Sequence, residues 1–276
     1  MSAVAPLAPV TASAFSGRRL SFLRTLRSEW IKLTTLRSTW WSIAITAALT
    51  IGMATLIAFA LTSSGLRAPG VNGVMAVVSP IQFTALLAGI LGAIAVTGEY
   101  STGMIRSTFA ADPRRGRVLI AKAVAIAAFL FVASLVMFLV AAAIVSAIFG
   151  SGTGALAWGE PDKVILPPLA ASVAMAVCAL IGVSFGFLVR SGAGAIALTV
   201  GLLFVLPIVA GLFSLGGEAW KWALDAANYL PLAAAQNAIL PSDTAPLSAG
   251  EAFLTLGAWV AAGLLGSWVV LRSRDA

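Results

Sequence analysis

Histidine is absent from the 276 residues, and cysteine occurs once, as Cys178. The first absence removes the commonest general base and metal ligand. The second rules out an intrachain disulfide, and Cys178 sits in an apolar run where it reads as a small packing residue. Charged residues make up only 10% of the chain, against about 25% in soluble domains. No GxxxxGK[ST], HExxH, paired CxxC or GxSxG occurs, so the chain carries neither a phosphate loop nor a recognisable hydrolase motif of its own. No catalytic, cofactor-binding or metal-ligating residue is expected, and the chain reads as a non-enzyme.

What is present is apolar. The chain is 60% hydrophobic with a mean hydropathy of +1.02, more than a soluble core of this length absorbs, so lipid must be the solvent. The net charge of +7 does not point to nucleic acid, because the basic residues sit at the ends of apolar segments rather than along one face. The fold expected is an all-α integral membrane protein.

Residues 1–17 are uncharged and rich in Pro, Ala and Ser, the composition of a disordered tail. From 18 to 39 a helical pattern begins. Leu23, Leu26, Trp30, Leu33, Leu36 and Trp40 recur every three or four residues, and Arg24, Arg27 and Lys32 mostly fall opposite them. This is the pattern of an amphipathic helix lying in the plane of an anionic leaflet. The alternative is the charged flank of the first span. Ala58-Phe59-Ala60 resembles a signal cleavage site, but the apolar segment before it is too long and the charged region too extended for a signal peptide.

Six spans are expected in a domain covering 40–271, at about 40–62, 77–97, 118–149, 164–189, 193–215 and 250–271, followed by a cytoplasmic tail at 272–276. With both termini inside, fourteen of the seventeen Lys and Arg residues lie on the inner side, and only Arg67, Lys163 and Lys221 lie outside. That bias sets the orientation. Glu99, Lys122 and Arg190 fall near inner ends, where long side chains reach the interface. No charge is expected at mid-depth, which argues against an ion-coupled carrier.

Within the spans, Ala170, Ala174, Cys178, Gly182 and Gly186 repeat every fourth residue. Such a small-residue ridge suits close helix packing, in a bundle or a dimer. Pro207 frees the carbonyl of Leu203 and predicts a kink, either a hinge or a fixed bend. Between spans five and six, Trp220, Trp222 and Tyr229 suit the outer interface. Leu232–Leu240 is too short to cross, so an interfacial or re-entrant helix is expected there.

The stretch 98–122 is the polar interruption between spans two and three. It holds Arg106, Arg114, Arg115, Arg117 and Lys122 against Glu99 and Asp112. Asp112 as N-cap and Pro113 at the first helical position predict the start of the third span. Arg114, Arg115 and Arg117 are expected at lipid-phosphate level as membrane anchors. Glu99, Tyr100 and Arg106 are either partner contacts or, for Glu99 and Arg106, a local ion pair.

Glu99-Tyr100, Gly103, Arg106, Pro113-Arg114-Arg115 and Lys122 resemble the loop after the second span in actinobacterial permeases of the type-2 ABC exporter family. Ser28-Glu29-Trp30-Ile31-Lys32-Leu33 with Arg37-Ser38-Thr39-Trp40-Trp41 resembles the family's N-terminal in-plane helix, and Tyr229-Leu230-Pro231 its external segment. The resemblance covers nearly the whole chain with loose motifs. It implies a half-transporter in the bacterial plasma membrane, pairing as a homodimer or with a second permease. A separate ATPase subunit would carry the ATP and Mg. It also implies that 98–109, with Glu99, Tyr100, Gly103, Arg106 and Phe109, forms a coupling helix for that subunit, and that Glu29, Trp30 and Lys32 of the in-plane helix contact it. The expected activity is export of a lipophilic, peptide-like or lipid-like substrate, with spans two and five along the pathway. A non-transporting sensor or immunity protein is the alternative, and an ion-coupled carrier ranks below it.

Overall fold

The computed structural model describes residues 21–64, 73–151, 155–242 and 244–273. The tail expected at 1–17 and residues 274–276 lie outside the described residues, as do Arg67 and Asp243. The described chain is helical, without a strand. Its order is α1 (Phe22–Thr35), α2 (Arg37–Ser63), α3 (Gly73–Val78), α4 (Ile81–Ser101), α5 (Met104–Ala111), α6 (Arg115–Phe149), α7 (Pro161–Val164), α8 (Leu166–Val189), α9 (Gly192–Val200), α10 (Leu206–Leu212), α11 (Lys221–Ala227), α12 (Pro231–Ile239) and α13 (Ala249–Ser273). A π turn at Gly201–Val205 joins α9 to α10, and a 3-10 helix at Phe213–Trp220 follows. Among the described residues, six stretches are long and apolar enough to cross a membrane: Arg37–Ser63, Gly73–Ser101, Arg115–Phe149, Pro161–Val189, Gly192–Leu212 and Ala249–Ser273. They match the six expected spans to within a few residues at most ends.

The boundaries have local causes. Leu36 is extended (φ −76°, ψ 122°) and separates α1 from α2. The apolar stripe expected to run on to Trp40 is therefore broken, and Trp40 belongs to α2, where its indole donates to the Thr34 carbonyl at 2.8 Å. Pro80 lacks a backbone N–H, and the chain turns at Ser79-Pro80 between α3 and α4. The third span begins later than Asp112-Pro113 predicts: α6 starts at Arg115. Asp112 instead closes a short turn, its Oδ1 accepting the Arg114 N–H at 3.2 Å. At about 1.5 Å per residue, the 35 residues of α6 reach roughly 50 Å, longer than a hydrocarbon core of about 30 Å. Its first turns can thus lie beyond the lipid. Ser248 and Glu251 form a reciprocal capping box at the start of α13, with Glu251 Oε2 accepting from Ser248 N at 2.9 Å.

The core is built on α8 and α4, which run parallel. A Cβ added to Gly182 would lie 1.9 Å from the Gly89 carbonyl oxygen, and one added to Gly92 would lie 2.1 Å from the Ala179 oxygen. Gly186 is also closed, though less tightly, its added Cβ standing 2.7 Å from Val96 Cβ. The small-residue ridge thus finds its partner within the same chain, on span two. Cys178 is fully buried in it. Such contact needs backbone against backbone, and in lipid that contact supplies much of the association energy. Ser134, Ser172 and Thr199 are buried but donate to the carbonyl four residues back, so their hydroxyls need no water.

The fourth span is the innermost and the sixth the outermost. In their most apolar windows 72% and 17% of residues are buried. Spans one and five are nearly as exposed as the sixth, and leave much apolar surface facing outward. α13 packs along α8, where a Gly263 Cβ would stand 2.6 Å from Ser184 Oγ and Ser267 Oγ donates to the Ser184 carbonyl. Spans two, four and six therefore end together. Arg115 Nη1 donates to the Leu271 carbonyl at 2.8 Å, which puts the start of α6 at that same end.

At the opposite end α12 is folded onto the bundle. Pro231, Leu232, Ala234, Ala235, Ala238 and Ile239 are buried, and Gln236 donates to Gln82 at the start of α4. The short helix expected over Leu232–Leu240 is present and packs inward against α8 and α13. Trp259 Nε1 fixes the turn before it through the Tyr229 carbonyl at 2.9 Å. Pro207 is the second residue of α10, just after the π turn at Gly201–Val205, where the helix is locally over-wide.

Candidate functional site

The end of the bundle that gathers the C-termini of α4 and α13 and the N-terminus of α6 also carries α1 and α5. Four charged side chains meet there. Glu29 is on α1, with Lys32 one turn further along the same helix. Glu99 is in the last turn of α4, and Lys122 is two turns into α6. Lys122 Nζ lies 2.5 Å from Glu29 Oε2 and 2.8 Å from Glu99 Oε1, and Lys32 Nζ lies 2.7 Å from Glu29 Oε1 and 2.8 Å from Glu99 Oε1. The two carboxylates and two ammoniums alternate, so the cluster is neutral.

It is also dry. Glu29, Glu99 and Lys122 are 2%, 4% and 3% exposed, and only Lys32 retains a path to solvent. Lys122, expected near a span end, turns inward, where Glu29 and Glu99 both accept from its ammonium. Glu99 likewise pairs with Lys32 and Lys122, not with Arg106, which is exposed on α5. Burial opposes the charge on Lys32, but its hydrogen bonds to Glu29 and Glu99 and their negative charges outweigh it, leaving its pKa above the ordinary 10.5. Lys32 therefore contributes stability at every pH below 10.5, and loses it only as pH rises through the raised value.

A third buried carboxylate lies nearby, between α1 and α6. Asp112 is 4% exposed. Its Oδ2 accepts from Thr25 Oγ1 of α1 at 3.1 Å and stands 3.6 Å from Arg117 Nη1 of α6. α1, 14 residues or about four turns long, is thus fastened at two points. Its inward face is Thr25, Leu26, Glu29 and Leu33, whereas Leu23 is 73% exposed and Trp30 packs edge-on against Phe129 at 5.9 Å. The face read from Leu and Trp spacing is correspondingly divided. Leu33 turns inward and Leu23 outward, because Glu29 takes the inner position.

α5 is held between these fastenings. Gly103 turns the chain with a left-handed backbone (φ 72°), a conformation glycine adopts without cost. Ile105 is buried and Phe109 half-buried, with the Arg115 guanidinium 5.7 Å over the Phe109 ring. Lys32 Nζ reaches Thr108 Oγ1 at 3.5 Å. The outward face is Arg106, Ser107 and Ala110. Gly103→Ala is expected to cost about 1 kcal/mol in left-handed strain, read as a lowered midpoint in thermal unfolding, with no steric clash because nothing lies within 4 Å.

Tyr100 also faces inward, edge-on to Phe187 at 6.4 Å with the Arg190 guanidinium 5.5 Å over its ring. Of the five residues expected on a coupling helix, Glu99 and Tyr100 face inward, Gly103 and Phe109 shape and seat α5, and Arg106 is exposed. Arg115 and Arg117 are engaged with Leu271 and Asp112, so of the three expected anchors Arg114 alone is fully exposed.

Beside the ionic cluster a cavity of ≈490 Å³ opens between α1, α2, α4 and α6, walled by Leu33, Leu36, Leu91, Ile94 and Ile126. Among the described residues, Glu99 Oε2 has no hydrogen-bond partner. Spacing gave no warning of this site. Its four charges come from three separated segments, and each one alone is explained by its place near a membrane surface. Among the described residues no three His, Cys, Asp or Glu side chains gather as metal ligands would. No protein-family model matches the chain, and neither does any curated protein.

Proposed function

We propose that this chain is the membrane-spanning permease subunit of an ATP-driven exporter of the type-2 ABC kind, moving a lipophilic, peptide-like or lipid-like substrate out of the bacterial cell. ATP and Mg would be bound by a separate cytoplasmic ATPase subunit, and the permease would pair with a second copy or a sister permease. The observation that carries this reading is the mounting of α5. It is a short helix with one exposed face, joined to α4 through the Gly103 turn and seated by buried Ile105, by the Lys32–Thr108 hydrogen bond from α1 and by the Arg115 guanidinium of α6 over Phe109. A push on Arg106, Ser107 and Ala110 would move three elements of the bundle as one. The excess of Lys and Arg at this end supports a cytoplasmic placement. The exposed apolar faces of spans one, five and six support contact with lipid or a second permease.

The test uses exposed residues only. Arg106→Glu with Ala110→Arg should lower stimulation of a co-expressed ATPase subunit by about tenfold or more, a loss of at least ~1.4 kcal/mol of coupling, with the thermal midpoint unchanged. An intact complex with undiminished stimulation would sink the coupling role. A non-transporting membrane sensor is the second reading, favoured by the ≈490 Å³ cavity beside the ionic cluster. It requires ligand binding without ATP-dependent movement of the ligand in proteoliposomes.

A further inference from the structure

Between the first turn of α6 and the last turns of α13 lies a second concavity, ≈620 Å³, lined by Arg114, Arg115, Arg117, Trp268 and Arg272. Four arginines line it. The acid packed against it, Asp112, is already engaged by Thr25 and the Arg114 N–H, with Arg117 nearby. Among the described residues, basic side chains outnumber acidic ones around it.

The arginines are positioned rather than merely clustered. Arg115 is held by the Leu271 carbonyl and the Phe109 ring, and the Arg272 guanidinium lies 3.7 Å over the Trp268 ring. Gly116 lets Trp268 close over the α6 backbone: an added Cβ would stand 3.1 Å from Trp268 Nε1. The wall is thus built from two helices more than 150 residues apart in sequence.

We propose that this cavity binds the phosphate of an anionic phospholipid headgroup. Guanidiniums pair with phosphate oxygens through paired N–H donors, and basic pockets between membrane helices suit such headgroups. The occupant is a lipid rather than a soluble phosphate because of what leads away from the site. Leu265, Trp268, Val269 and Arg272 fall on one face of α13, with Leu265 62% and Val269 56% exposed. That stripe carries an acyl chain from the cavity into the apolar depth. The inference needs only that the six helices lie in a membrane, and it stands or falls separately from transport.

The test compares the purified chain in nanodiscs of phosphatidylcholine with and without phosphatidylglycerol, counting retained lipids by native mass spectrometry. Arg114→Gln with Arg272→Gln alters two exposed side chains. At roughly fivefold per charge removed, phosphatidylglycerol retention should weaken about 30-fold, while phosphatidylcholine retention stays unchanged. Arg27→Gln with Arg37→Gln removes two exposed charges from the same end and should leave retention within about twofold. Equal losses from both pairs would reduce the effect to bulk charge and overturn the site. Protection of the lipid-free protein by millimolar inorganic phosphate, equal to that from phosphatidylglycerol, would overturn the lipid assignment.

Discussion

Replacing Lys122 with Met is expected to cost about 3–5 kcal/mol, the usual penalty for removing one partner of a buried ion pair. Lys122 is 3% exposed and serves Glu29 and Glu99 together. Without it, two buried carboxylates share Lys32 alone and the cluster carries an uncompensated negative charge. At about 2–4 °C per kcal/mol for a chain of this size, the thermal midpoint should fall by roughly 10 °C, followed by tryptophan fluorescence in detergent. A second variant separates charge from packing. Adding Glu99→Gln to Lys122→Met leaves Glu29 and Lys32 as a neutral pair, and should recover more than half of the loss. If the double variant is no more stable than the sum of the two single changes, charge balance is not what holds α1, α4 and α6 together.

That cluster marks where the sequence stops being legible. The six spans follow from composition because a helix in lipid must be apolar along about 20 residues. No comparable rule groups Glu29, Lys32, Glu99 and Lys122. Each sits near a predicted membrane surface, and surface placement satisfies a long side chain as well as an ion pair does. Only the fold brings segments 67 and 93 residues apart together. The same limit applies to α1. Leu and Trp spacing locates a helix and an apolar face, but a buried Glu29 rotates that face away from Leu23, and hydrophobic periodicity cannot see it. Arg114, Arg115 and Arg117 were legible as a basic run, but not their convergence with Trp268 and Arg272. By contrast, the ridge at Gly182 and Gly186 was plain as a four-residue repeat, since residues four apart share one helix face. Its partner was not, because α4 offers Gly89 and Gly92 among many small residues.

That ridge gives the second large effect. Gly182→Ala adds one methyl at a point 1.9 Å from the Gly89 oxygen and 3.0 Å from the Ala93 nitrogen. The obstacle is backbone in the middle of α4, so no side chain can swing aside, and the two helices must separate by more than 1 Å. Separation strips contact from Gly92, Ala179 and Gly186 as well, because their approach depends on the same spacing. The cost should reach the upper end of the overpacking range, about 3 kcal/mol or more, seen as a fall in thermal midpoint of similar size to that of Lys122→Met. Gly257→Ala in α13 is the control. Nothing lies within 4 Å of its added Cβ, and losing a helix-interior glycine should stabilise by up to about 1 kcal/mol. Equal midpoints for the two alanine variants would mean that the α4–α8 contact is looser than the structure has it. A loss at Gly182 with a gain at Gly257 places the rigid centre of the molecule at that contact.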